Sequence, residues 1–329
     1  MKLFQVNSEG LLAIVILISC SVGCKKNEIP DLDLRQEMRS FVEEISSFAK
    51  SHSPGFIVIP QNGLELITLN GESTGAAAAK YLNSIDGQGC EDLFYGYTGD
   101  GSPTPSEDRI YMEGFLNRSK SEGKMILVTD YCSVHTDMLD SYLQNEARGY
   151  ISFAADRRSL DHVPAFPPVP FNENWTDINS IGQVRNFLYL VNPGSFANKY
   201  YFLDSLAETS YDLLVIDLDF DTKITLTRSD IESLKTKPNG ANRLVICYMS
   251  IGEAENYRYY WKPGWEFANP VWLDKPNPDW PGNYKVRYWE PEWQAIIFGN
   301  NDSYTKRIID AGFDGVYLDG VDGFSFFDD

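Results

Sequence analysis

Eight short apolar runs, each set apart from the next by a helical period or a long crossover, govern what this chain is able to fold into. They fall at residues 56–60, 87–95, 124–132, 149–154, 186–191, 212–218, 243–251 and 313–318. Runs such as Met125-Ile126-Leu127-Val128 and Leu213-Leu214-Val215-Ile216 show no polar alternation. That is the pattern of strands covered on both faces in a parallel sheet. Helical periods lie between them at 75–85, 106–122, 136–147, 196–209, 229–237 and 290–311. One more precedes them at 33–52, where Leu34, Met38, Phe41, Val42, Ile45, Phe48 and Ala49 share a stripe and Pro54-Gly55 ends the helix. No glycine-rich phosphate loop follows any run. Eight βα units in 329 residues predict an α/β chain folded as a single-domain (β/α)8 TIM barrel rather than an open doubly wound sheet. The order is odd, because the chain starts on a helix and ends almost on a strand. In a closed barrel the first helix has to fill the place after the last strand.

The flanking segments are different in kind. Residues 11–18 are an apolar run of signal-peptide length, too short to span a bilayer. Cys20 and Cys24 follow it, each preceded by small residues, as in a bacterial lipoprotein cleavage box. Residues 1–24 are therefore expected to be a lipoprotein signal and cleavage region, with the anchor on either Cys20 or Cys24; an ordinary cleaved signal is the alternative. Residues 25–32 read as a tether. The expected location is extracytoplasmic, held to a membrane by the lipid. Pro164, Pro167, Pro168 and Pro170, followed by four Asn or Asp residues, mark 163–185 as a linker or long surface loop. Cys90, Cys132 and Cys247 lie in apolar runs and are expected to be buried free thiols. The formal net charge of −19 excludes a nucleic-acid partner, which needs a basic footprint. Three histidines, grouped in no metal motif, predict no resident metal, and no cofactor is expected.

In a barrel the chemistry sits where the strands end. Those positions are rich in carboxylates: Glu91 and Asp92, Asp130, Asp156, Asp217 with Asp219 and Asp221, Glu253 with Glu255, and Asp319 with Asp322. Asn62 and Tyr248 stand at two other ends. Taken singly, an Asp after a strand is usually a helix cap or a loop ion pair, and the Asp217/Asp219/Asp221 run also suits a divalent cation. Many carboxylates on one face, with Tyr97, Trp261, Trp265, Trp272, Trp280 and Trp289 in nearby loops, suit glycoside hydrolysis. That reaction needs one carboxylic acid to protonate the leaving oxygen and a second carboxylate to attack or to activate water. The loop tryptophans serve either as sugar platforms or as staples of the loop itself.

Longer motifs carry a resemblance. Val215-Ile216-Asp217, Tyr248-Met249-Ser250-Ile251-Gly252-Glu253-Ala254-Glu255, Trp280-Pro281-Gly282-Asn283-Tyr284 and Gly312-Phe313-Asp314-Gly315-Val316-Tyr317-Leu318-Asp319 resemble glycoside hydrolase family 114, the endo-α-1,4-polygalactosaminidase family, and most closely its prokaryotic branch, often misnamed as cysteinyl-tRNA synthetases. The resemblance implies a circular permutant: residues 186–329 correspond to the first half of the family barrel, 33–162 to the later half, and 163–185 join them. It implies Asp319 and Glu91 as the catalytic pair, Asp319 as nucleophile or stabilising carboxylate and Glu91 as general acid. Asp217, Asp219, Tyr248, Glu253, Asn62 and Asp130 are expected to line the substrate pocket. The implied activity is a monomeric glycosidase on an α-linked amino-sugar polymer. A carbohydrate-binding protein without turnover, or a hydrolase of another glycan, shares the fold.

Overall fold

The computed structural model describes residues 31–328; the lead segment, with Cys20 and Cys24, lies outside them. The eight apolar runs form the strands β1 (Ile57–Pro60), β2 (Gly87–Glu91), β3 (Met125–Tyr131), β4 (Ile151–Ala155), β5 (Phe187–Leu190), β6 (Leu213–Ile216), β7 (Leu244–Ser250) and β8 (Gly315–Asp319). They make two parallel ladders, one ordered β1-β8-β7-β6-β5 and the other β2-β3-β4. The ladders adjoin on both sides. Past the end of β1, Gln61 and Gly89 form a parallel bridge, and Asn62 N–H donates to Gly89 O at 2.9 Å. On the other side β4 packs along β5, with the Phe153 and Phe187 rings 5.9 Å apart. Strand neighbours in space are thus neighbours in the chain, except that the last strand lies beside the first.

Tyrosines fill much of the space between the ladders. Tyr189 and Tyr317 are buried, their rings 5.3 Å apart, and Tyr189 Oη donates to Gln61 at 3.1 Å. Gly89 has no side chain because Tyr317 Oη occupies its place: a Cβ there would lie 2.2 Å from that oxygen. Helices cover the outside: α1 (Leu34–His52), α2 (Ala79–Ser84), α3 (Ser106–Ser121), α4 (His135–Arg148), α5 (Lys199–Ala207), α6 (Arg228–Leu234), α7 (Pro291–Ile297) and α8 (Tyr304–Ala311). Asp33 caps α1 by accepting Gln36 N–H at 2.9 Å. The buried stripe of α1 packs against α2, α8 and the last 3-10 turns, Val321–Phe327, so the first helix sits between the last strand and the first.

Three expected boundaries change. The alanine-rich helix shrinks to Ala79–Ser84, because Ala77 is spent on a bridge to Thr68. The long helix over 290–311 is two, broken where Gly299 takes a φ of +92° and Asn300 turns back on Ala295 and Asp302. The second strand stops at Glu91, because Asp92 takes a φ of +59° and Asp130 captures Phe94 N–H at 2.8 Å. The aromatic stretch 256–288 is not bare loop. It contributes Leu273–Pro276 and Asn283–Val286, which join Glu253–Glu255 in a small antiparallel sheet above the strand ends. Cys90, Cys132 and Cys247 are free and buried, as expected.

The stretch 163–185 is tied down by one buried ion pair. Lys237 Nζ lies 2.5 Å from Asp212 Oδ1, both side chains fully shielded from solvent. Lys237 also donates to the carbonyls of Asn174 at 2.7 Å and Thr176 at 3.2 Å. The other Asp212 oxygen accepts Arg185 N–H at 2.8 Å and Asn174 Nδ2 at 3.3 Å. Removing one partner of such a pair strands the other charge in the interior. Lys237→Met is therefore expected to destabilise the protein by about 3–5 kcal/mol in urea unfolding, and a loss below about 1 kcal/mol would contradict this role of the pair.

Candidate active site

The carboxyl-side ends of the strands surround a cavity of about 460 Å³, lined among others by Asn62, Glu91, Tyr131, Tyr248, Glu253 and Asp319. Glu91 closes β2 and Asp319 closes β8. Between them in the ladder order is β1, whose trailing Asn62 holds Glu91 at two points. Asn62 Oδ1 accepts Glu91 N–H at 3.1 Å, and Asn62 Nδ2 donates to Glu91 Oε2 at 3.3 Å. Asn62 does this from a φ of +58°, a backbone state that asparagine tolerates better than most residues. Tyr131, at the end of β3, donates its hydroxyl to the other Glu91 oxygen. The Tyr131 ring is covered by the Arg158 guanidinium at 3.8 Å, which is in turn held by Asp92 at 2.8 Å and Asp100 at 2.7 Å. Asp319 has its own pair of donors: Tyr248 Oη at 2.6 Å and Gly320 N–H at 2.8 Å.

The two carboxyls are poised differently. Burial, then the charge of Asp319, lift Glu91 to about 7 against the opposing hydroxyl of Tyr131. Burial also raises Asp319, but the Tyr248 and Gly320 donors stabilise its anion. Asp319 therefore ionises first, and its charge delays the proton loss of Glu91. Burial and the neighbouring carboxyl thus hold the proton on Glu91 towards neutrality, which is what acid catalysis beside a second carboxyl requires.

Of the other expected residues, Asn62, Asp217, Tyr248 and Glu253 line the cavity, Asp219 lines the one beside it and Asp130 lines neither. Both Asp217 oxygens are taken by Arg258, at 2.6 Å each. Arg258 also donates from Nε to Glu255 at 2.6 Å, so the buried guanidinium is shared by two carboxylates. Glu253 is held by Asn283 at 3.0 Å and Lys285 at 2.5 Å from the small antiparallel sheet, and by Asn277 at 2.7 Å from just past its Leu273–Pro276 strand. Asp219 stands one cavity further out, accepting Thr225 Oγ1 at 2.6 Å. Asp130 is the correction: it does not line the pocket. Strand side chains alternate, and Asp130 points the opposite way to Thr129 and Tyr131, out of the ladder towards α4. There it accepts Ser141 Oγ at 2.6 Å and Asn145 Nδ2 at 3.2 Å, as well as the backbone amides of Phe94 and Tyr95.

Tyr131, Arg258, Asn277, Asn283 and Lys285 are pocket residues that sequence reasoning passed over. Strand parity would have found Tyr131 in place of Asp130. The others rise from irregular backbone with no period to read. The loop tryptophans are mostly staples: Trp261, Trp265, Trp272 and Trp293 form a chain of ring contacts spaced 4.9–5.4 Å apart. Trp280 alone among the loop tryptophans expected near the site lines the cavity. Among the described residues no group of three or more His, Cys, Asp or Glu side chains is arranged to hold a metal ion.

The pocket opens on both flanks. Asn62, Glu91 and Asp322 are shared with a cavity of about 340 Å³. Asp217, Tyr257, Arg258 and Trp280 are shared with another of about 570 Å³.

With Asp319 and its surroundings in place, comparison with known proteins becomes informative. Residues 189–329 match the model of glycoside-hydrolase family GH114. The GH114 segment holds Asp319, Tyr248, Glu253, Asp217 and Arg258; Glu91, Asn62 and Tyr131 lie outside it. An uncharacterized protein of Methanocaldococcus jannaschii is 41% identical over 157 residues, covering 45% of this chain and 44% of its own length. Uncharacterized proteins of Thermotoga maritima and Deinococcus radiodurans are 40% and 38% identical over 37% of this chain, and over 36% and 37% of their own lengths respectively. The chain thus spans less than half the length of these relatives.

The geometry gives a direct test of the Glu91 environment. Tyr131→Phe removes a donor that favours the ionised form, so the pKa of Glu91 is expected to rise, by roughly one pH unit for a bond of about 1.5 kcal/mol. The carbon-13 carboxyl shift of Glu91, followed by NMR across pH, reads this; an unchanged or lowered midpoint contradicts it.

Proposed function

We propose that this chain is a family 114 glycosidase that cleaves an α-linked amino-sugar polymer of the polygalactosamine kind. Glu91 donates its proton to the leaving glycosidic oxygen, and Asp319 attacks or stabilises the sugar cation from the other side. The observation that carries the reading is the meeting of two carboxyl groups in one cavity, Glu91 under Tyr131 and Asp319 under Tyr248, the second of them inside the matched segment. Tyr131 and Tyr248 orient the pair, each donating to one carboxyl. Two further cavities share walls with this pocket, which suits a substrate of several sugar units. Glu253, Asp319 and Asp322 give the cleft an acidic lining suited to protonated amino sugars.

The same proposal covers the architecture. The two ladders are read as one closed (β/α)8 barrel whose chain order is permuted relative to the family, with α1 filling the place after β8 and residues 163–185 joining the former ends. Export and lipid anchoring at Cys20 or Cys24 complete it, and no helix of the described residues is long and apolar enough to cross a membrane.

The test is reducing-end release from partly deacetylated poly-α-1,4-galactosamine by the form beginning after Cys24. Asp319→Asn and Glu91→Gln are each expected to lower kcat/KM by about 10²–10⁴. Because Glu91 must be protonated to act, kcat/KM falls as pH rises through about 7. Full activity in Glu91→Gln would move the acid elsewhere, and no hydrolysis of any amino-sugar polymer would overturn the reading.

A further inference from the structure

Trp280 is exposed without a packing reason. It sits between Leu273–Pro276 and Asn283–Val286 and remains 48% accessible. Trp261, Trp265, Trp272, Trp289 and Trp293 each pack edge-on or tilted against another ring, whereas Trp280, like the equally exposed Trp175 outside this cavity, has no ring neighbour among the described residues. Its indole is part of the wall between the Glu91–Asp319 pocket and the cavity of about 570 Å³ beside it. Elsewhere in that second cavity stand Asp161, Asp219 and Asp221. The single cation in its lining is Arg258, whose guanidinium is held at 2.6 Å by Asp217 and Glu255 and reaches Asp219 only at 3.5 Å. Asp221 accepts the amides of Lys223 and Ile224, and Asp219 accepts the Thr225 hydroxyl while standing 3.5 Å from Arg258. The cavity therefore combines an aromatic face without a ring partner with excess negative charge, and it shares the wall of Asp217, Tyr257, Arg258 and Trp280 with the pocket of the reacting groups.

We infer that this cavity is a subsite for one protonated hexosamine unit next to the bond that is cleaved, its ring stacked on Trp280 and its ammonium directed to Asp219. The apolar C–H face of a pyranose covers an indole, and a cation near the ring adds electrostatic attraction. A neutral N-acetylated unit keeps the stacking and loses the charge pairing. Trp280 and Asp219 are then specificity-determining residues: the first sets the dependence on chain length, the second the preference for free amines. The inference rests on the amino-sugar glycosidase reading.

Two measurements test it separately from that reading. Galactosamine oligomers of increasing length are hydrolysed by the parent, Trp280→Ala and Trp280→Phe. In the parent, kcat/KM rises with length as the subsite fills. Trp280→Ala is expected to compress the ratio between the longest and shortest substrates by about tenfold, the equivalent of 1.4 kcal/mol, and Trp280→Phe to restore most of it. An equal loss at every length would overturn the subsite. Calorimetric titration of a galactosamine hexamer into Asp319→Asn needs no turnover. There Trp280→Ala is expected to weaken binding by about tenfold, and Asp219→Asn to reduce the preference over the N-acetylated hexamer. If the parent hydrolyses nothing but the titration behaves in this way, the subsite stands and the glycosidase reading falls. If the hexamer binds equally well with and without Trp280, the subsite falls.

Discussion

Two carboxyl groups held in one shielded cavity do not ionise independently, and the rest of this structure serves that constraint. Burial raises both Glu91 and Asp319, and the charge of one then holds the proton on the other. Each carboxyl receives two donors, Glu91 from Tyr131 and Asn62 and Asp319 from Tyr248 and the Gly320 amide. What sets Glu91 apart is that the Asp319 charge adds to its burial. Each donor has its own support. Gly320 reaches its position with a φ of +70°, packed so closely on Gly252 that a Cβ on Gly252 would lie 2.0 Å from Gly320 O. Tyr131 is clamped under Arg158, and Arg158 by Asp92 and Asp100.

The pair also needs the two ends of the chain to meet. Glu91 comes from the second strand and Asp319 from the last, and β1 lies between them only because it pairs with β8 and bridges to β2. The GH114 match ends on the Asp319 side and contains no part of β1, β2 or β3. What unites Glu91 with the matched segment is therefore backbone pairing and the Asn62 side chain, not similarity along the chain. The buried Lys237–Asp212 pair has a matching task at the other end of the strands, where it fastens the 163–185 crossover that joins the two halves.

Much of this was legible in the sequence. Unbroken apolar runs gave most of the eight strands, because full burial on both faces leaves no room for polar alternation; β2, with Gln88 buried and Glu91 at its end, is the exception. The carboxylates after them pointed to the right end of the ladders. Asp130 was misplaced because its position after an apolar run was weighed without strand parity; one residue further, Tyr131 faces the pocket. Arg258, Asn277, Asn283 and Lys285 were not legible, since they come from an irregular stretch whose small antiparallel sheet depends on distant pairing with Glu253–Glu255. The helix over 290–311 kept its amphipathic period on both sides of Gly299, so the break was invisible to periodicity. The tryptophans were ambiguous by composition alone, and only packing separates the stapling rings from Trp280.

The central claim is that burial, reinforced by the charge of Asp319, holds the proton on Glu91 towards neutrality. The most direct measurement is the carbon-13 carboxyl titration of Glu91 in the parent and in Asp319→Asn. The account predicts a midpoint near pH 7 in the parent and a clearly lower one once the Asp319 charge is removed. A parent midpoint in the ordinary glutamate range of about 4.3, unmoved by Asp319→Asn, would contradict it.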